Sequence, residues 1–212
     1  NQIPALQYVQ SLLINEKINF IKRFLLTLQE LQSQGFIYNN ITLETIWVDK
    51  KDNVYLLGLS QITKINEVKK RSIINPLYLS PEQSGKIDEK ITETSDYYSL
   101  GILMYKIMTN SFPFESEHSS ELIAMHVAKN VIPPHSINSK IPKNLSDIIL
   151  KLLEKNSQDR YKTISGILYD LEHYLDKDFE IASQDFDLSF KISKKIYGRN
   201  KEIQRLMKGV EE

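Results

Sequence analysis

Residues 35–60, GFIYNNITLETIWVDKKDNVYLLGLS, hold the side chains best placed for chemistry: the phenol of Tyr38, the amides of Asn39 and Asn40, the carboxylate of Glu44 and the hydroxyl of Thr45. A strongly apolar helical pattern stops at Gly35, and two β-type runs, 46–48 and 54–57, flank a turn at 49–53. The loop 38–45 is therefore expected at the mouth of a hairpin, between rigid elements, which is where binding and catalysis usually sit. The chain contains no cysteine, so thiol nucleophiles, disulfides and thiolate zinc sites are excluded. His118, His126, His135 and His173 show no ligand spacing and read as surface or packing residues.

The elements that would position this loop are mostly helical. Residues 3–13 are expected to form a short helix with Leu6, Val9, Leu12 and Leu13 on one side, broken by Asn15 and Glu16. Over 17–34, Ile18, Ile21, Leu25, Leu28 and Leu31 recur at steps of three and four, and Gly35 stands as the C-terminal cap. Residues 61–75 read as an irregular segment whose basic triplet, Lys69, Lys70 and Arg71, is a solvated surface feature. Ser80 and Pro81 favour a turn into a short helix.

Residues 94–108 are apolar nearly all round, with a cap signal at Thr94 or Ser95, and a helix without a polar face is a buried helix. Amphipathic helices follow over 119–130, 144–154 and 163–175. From Asp176 the composition turns to Asp, Phe, Ser and Lys, as in a linker, and 196–212 begin a new helix bearing Ile203, Leu206, Met207 and Val210 on one face.

Composition narrows the function. With 27 basic and 27 acidic residues there is no net field to draw nucleic acid or anionic lipid, so neither is expected as a partner. No apolar run is long enough to cross a bilayer and no signal peptide is visible, so a cytoplasmic protein is expected. The chain starts at Asn1 without a methionine, and a preceding segment is expected.

Taken in order, these elements resemble the C-terminal lobe of a eukaryotic-type protein kinase over roughly residues 1–175. The family's His-Arg-Asp and its following Asn fall on Tyr38, Asn39, Asn40 and Thr45; its Asp-Phe-Gly falls on Gly58, Leu59 and Ser60; its Ala-Pro-Glu falls on Ser80, Pro81 and Glu82. The Asp-x-x-Ser-x-Gly pattern of the buried helix matches Asp96, Ser99 and Gly101, and the late arginine that pairs with the glutamate of Ala-Pro-Glu matches Arg160. Pro113 and Phe114 match the Pro-Phe that follows the buried helix. More narrowly, the wording around 80–85, 98–114 and 156–161 resembles kinase domains that begin large bacterial hybrid signalling proteins. There an AAA-type ATPase module follows, and Tyr197, Gly198, Arg199, Glu202, Ile203 and Leu206 are similar to its opening motif.

The resemblance implies a mainly α fold, a kinase-like C-lobe with a small β-hairpin beside the catalytic loop, followed by a linker over 176–195 and the start of an ATPase module over 196–212. It also implies that the chemistry is gone. Phosphoryl transfer needs positioning, charge neutralisation and a hydroxyl acceptor. Asn40 replaces the carboxylate that receives the substrate hydroxyl, a loss on the order of 100 to 10,000 fold. Thr45 replaces a metal-holding amide, and Gly58 replaces the carboxylate that bridges metal and triphosphate. Asn39 removes the arginine that would read a phosphorylated activation segment.

By the same resemblance Asp96 would hold the catalytic-loop backbone, and Glu82 with Arg160 would fix the activation segment through a bidentate bridge. The expectation is thus a pseudokinase with no cofactor, acting on a protein partner such as the adjacent ATPase module. One alternative is a divergent serine/threonine kinase that uses ATP and magnesium through a relocated ligand, Glu44 or Asp49. Another is a helical interaction scaffold that binds no nucleotide. Neither a Gly-x-Gly-x-x-Gly loop nor a Val-Ala-Ile-Lys strand occurs in the chain.

Overall fold

A computed structural model of the chain describes residues 2–65 and 75–186. Its first element is strand β1, Gln2–Pro4, followed by a single helical turn α1, Ala5–Tyr8, and a 3-10 turn, Val9–Ser11. The helix expected over 3–13 is therefore corrected. Pro4 stands at the cap of α1 with extended backbone, and Ile3 is spent on a ladder partner far along the chain. Helix α2, Ile14–Ser33, begins earlier than its apolar spacing suggests, because Glu16 does not break the pattern but opens it: its carboxylate accepts the Leu13 N–H at 2.7 Å. Ile18, Ile21, Leu25 and Leu28 are buried, and Gly35 turns the chain at φ +82°.

Strand β2, Phe36–Ile37, leads into the polar loop, and β3, Ile46–Asp49, with β4, Val54–Leu56, forms the antiparallel hairpin beyond it. Ile3 pairs with Val48, so the sheet runs β1-β3-β4. Asp49 closes the turn by accepting from Lys51 N, Asn53 N, Asn53 Nδ2 and the Tyr55 hydroxyl. Within the stretch expected to be irregular, β5, Thr63–Lys64, pairs with β2. The two strands are too short to carry a sequence period.

Helix α3, Glu93–Thr109, is buried at every residue from Ser95 to Tyr105. Against it pack α2 and the later helices α5, Pro134–Ile137, and α6, Lys143–Leu152; α4, Ser119–Ala128, meets it where His126 faces Tyr98, and α7, Ile164–His173, packs on α2 and α6. Gly101 lets α6 close on α3: a Cβ there would lie 2.9 Å from Leu152 Cβ and from Leu153 Cδ2. None of the described helices is long and apolar enough to cross a membrane.

Residues 176–186 do not lead away from the domain as the linker reading expects. They turn back along α7, where Ala182 N–H donates to Asp170 and the Asp185 carboxylate accepts the N–H groups of Lys162 and Thr163. Phe179 and Ile181 pack partly buried on the core. An aspartate of the stretch read as a linker supplies a helix cap instead. The rest of that linker, the expected helix over 196–212 and the triplet Lys69, Lys70 and Arg71 lie outside the described residues.

Candidate functional site

The loop between β2 and β3 is suspended from α3. Both oxygens of the Asp96 carboxylate are used: Oδ2 accepts Tyr38 N–H and Oδ1 accepts Asn39 N–H, each at 2.8 Å. Burial pushes the Asp96 carboxyl up to about 7, against the pull of those two donors, which favour the charged form. One turn on, Ser99 Oγ donates to the Tyr78 carbonyl at 2.8 Å, anchoring the segment that precedes Ser80. Asp96, Ser99 and Gly101 thus hold, from one helix, the loop, the later segment and α6.

Tyr38 packs fully buried, and its hydroxyl donates to the carbonyl of Leu57, beside the carbonyl of Thr45 at 3.4 Å. Burial pushes this phenol up to about 12, so it stays a proton donor across the physiological range. Leu57 N–H donates to the Thr45 carbonyl at 2.8 Å. The loop is thereby stitched to the mouth of the hairpin at both ends of its hydrogen-bonding capacity.

Asn39 takes φ +59°, a conformation that asparagine tolerates better than most residues. Its amide Nδ2 donates to Thr63 Oγ1 at 2.8 Å and to the Gln61 carbonyl at 3.3 Å, while its Oδ1 accepts from Gln83 Nε2 at 3.2 Å. One side chain therefore clasps the chain just after Gly58 and again just after Pro81. Sequence reasoning sees only the loss of an arginine at this position. The amide and Gln83 sit in no period, and no spacing marks them as partners.

Asn40 and Gly58 are directly opposed. Asn40 is buried, and its Nδ2 lies 3.4 Å from the Gly58 carbonyl; a Cβ at position 58 would stand 2.5 Å from that same Nδ2. Gly58 has φ +70°, a backbone state that disfavours side chains whatever the room. Position 58 therefore offers no side-chain ligand atom, and a side chain there would have to push the end of the Asn40 side chain aside. Thr45 is also committed inward: its hydroxyl donates to the Asn40 carbonyl at 2.6 Å and accepts Thr42 N–H at 3.2 Å.

Neither carboxylate considered as a substitute joins this group by hydrogen bonding. Asp49 is consumed by the hairpin turn, and Glu44 is exposed, its carbonyl accepting the Trp47 indole at 3.1 Å. Among the described residues no three His, Asp or Glu side chains gather closely enough to hold a metal ion. Beside Asn40 lies a small polar cavity of about 30 Å³, lined among others by Asn39, Thr42, Tyr78, Gln83 and Ser99. It has the size for one or two waters.

Glu82 and Arg160 meet 78 residues apart in sequence with both side chains fully buried. The bridge is bidentate, Nη1 to Oε1 at 2.7 Å and Nη2 to Oε2 at 2.9 Å. Ser95 Oγ donates to Oε1, and Arg160 spends its remaining donors on the carbonyls of Thr94, Glu154 and Lys155. Burial alone would raise the Glu82 carboxyl; the Arg160 guanidinium outweighs it and holds the carboxyl below its usual value. The Arg160 guanidinium also lies over the Tyr98 ring at 4.9 Å, and Tyr98 reaches His126 Nδ1 at 3.1 Å. Burial, then the charge of Lys155, lowers His126 to about 4.

The protein kinase domain model matches residues 5–171, and the chain belongs to that family. It is similar, at 40% identity over 97 residues, to hybrid signal transduction histidine kinase G of Dictyostelium discoideum, covering 46% of this chain and 3% of that protein. A probable serine/threonine-protein kinase of Clostridium perfringens is 40% identical over 96 residues, 45% of this chain and 14% of its own length. The peroxide stress-activated histidine kinase mak3 of Schizosaccharomyces pombe is 28% identical over 203 residues, 85% of this chain and 9% of its own length. This chain thus spans a small part of each of these relatives.

Proposed function

We propose that this kinase domain is catalytically inactive and serves as a regulatory or interaction module in a larger signalling protein. The observation that carries the reading is the facing pair Gly58 and Asn40: where the family's metal-holding carboxylate projects there is no side chain, and the group opposite is an amide. A magnesium ion finds no carboxylate there, and Thr45 turns its hydroxyl into the loop. The framework that would position such a site is kept, in Asp96, Glu82 and Arg160, while the groups that would do the chemistry are replaced.

Placement in a large protein is supported by relatives whose names describe hybrid or stress-activated histidine kinases and of which this chain spans 3% and 9%. The partner we propose is protein, with an AAA-type ATPase module beginning near residue 196 the first candidate. A cytoplasmic setting in a bacterial hybrid protein goes with that reading. In the full-length protein, incubation with radiolabelled ATP and magnesium is expected to leave no acid-stable phosphate on serine or threonine, either on itself or on a generic protein substrate. Label that disappears on Asn40→Ala would overturn the proposal. Any magnesium-dependent thermal shift of the same protein with ATP is expected to be unchanged by Glu44→Ala, and a shift abolished by Glu44→Ala would instead establish a relocated ligand.

A further inference from the structure

Residues 176–186 are built into the domain by three separate devices. The first is Asp185, whose Oδ1 accepts Thr163 N–H and the Thr163 hydroxyl, both at 2.9 Å, and whose Oδ2 accepts Lys162 N–H at 2.7 Å. Thr163 Oγ1 in turn accepts Gly166 N–H at 2.9 Å, so the cap of α7 is shared between the helix and the returning chain. Gly166 provides the cradle. A Cβ there would lie 2.5 Å from Asp185 Oδ1 and 2.7 Å from Asp185 Cβ.

The second device is Asp170, fully buried on α7, whose Oδ2 accepts both the Tyr161 hydroxyl and Ala182 N–H. Ala182 presents that N–H from φ +58°, a left-handed conformation that is strained for an alanine and persists because the surroundings hold it. The third is apolar: Phe179, Ile181 and Ala182 lie partly buried against the core. Because Ala182 meets the last half of α7 and Asp185 meets its start, the chain runs back over the whole helix, roughly 15 Å for ten residues.

We propose that residues 176–186 are a clasp that returns the chain to the start of α7 and holds it, at Asp185, beside the Arg160 corner. The Lys162 and Thr163 amides gripped by Asp185 lie two and three residues after Arg160, so the clasp bears on the same corner that holds Glu82. A strained residue, a steric cradle and a shared cap make a unit that is held or released as a whole. The clasp does not depend on whether the domain transfers phosphate.

Hydrogen exchange on the full-length protein tests this, comparing wild type with Asp185→Ala and Gly166→Ala. Gly166→Ala leaves every charge in place and favours helix intrinsically, so it acts on the clasp through shape alone. Both variants are expected to lose protection together at Lys162, Thr163 and Ala182, by ten-fold or more, with the amides of α3 and α6 unchanged. Unchanged protection at all three amides would overturn the proposal. So would loss at Lys162 and Thr163 with Ala182 still protected, which would make the contacts independent. Loss spreading through α3 and α6 would overturn it too, since residues 176–186 would then be ordinary core.

Discussion

Asn40 and Gly58 are best understood as one substitution in two places. A side chain at 58 enters a left-handed backbone and must also push the end of the Asn40 side chain aside. Gly58→Ala is expected to cost about 1–3 kcal/mol in chemical denaturation. In an Asn40→Ala background the collision is gone and only the backbone strain remains, so the same change should cost about 1 kcal/mol. The double-mutant cycle measures the difference.

Two further residues oppose each other in acid. His126 is lowered to about 4, so the unfolded chain binds more protons than the native state between pH 6.5 and 4, and acidification through that window destabilises by up to about 3 kcal/mol. Asp96, raised to about 7, does the reverse: its contribution is full below the unfolded carboxyl value near 4 and is lost as pH rises through 7. The wild type is expected to change little in urea midpoint between pH 7 and 5. His126→Gln should become more stable on acidification over that range, and Asp96→Asn less stable.

At the scale of elements, α3 governs the fold because every face of it is occupied. Gly101→Ala gains helix propensity but drives a methyl into Leu152 Cβ, which sits on a backbone that cannot step aside cheaply. A net loss of about 1–3 kcal/mol is expected, read as a lower melting temperature. This helix is legible in the sequence, since an apolar stretch of that length without a polar side has few alternatives, and the Asp96, Ser99 and Gly101 spacing marks its working face. Strand β1 is not legible: three residues including Pro4 carry no period, and what makes them a strand is Val48, 45 residues later. The returning chain at 176–186 misleads for a related reason. A mixed run of Asp, Phe, Ser and Lys reads as a linker until a helix start is found waiting for its aspartate. In the site, the positions of Asn40, Gly58, Glu82 and Arg160 follow from motif spacing. That the Asn40 amide faces Gly58, or that Asn39 holds both flanks of a long loop, is a matter of three-dimensional approach, which no spacing encodes.

For the whole molecule, the Glu82–Arg160 bridge is the tie between the early and late parts of the chain. Arg160→Met would leave Glu82 buried without its counter-charge, at a cost of about 3–5 kcal/mol. As a contact of long sequence separation it is expected to form late in folding, so most of that cost should appear as faster unfolding in stopped-flow kinetics, with refolding changed only slightly. The same separation has a meaning during synthesis. At roughly 5–20 residues per second, Glu82 leaves the peptidyl-transferase centre about 4–16 s before Arg160 is made. Through that interval the nascent chain carries a carboxylate whose burial is not yet possible, so the domain stays open on the ribosome until its own residue 160 arrives to close it.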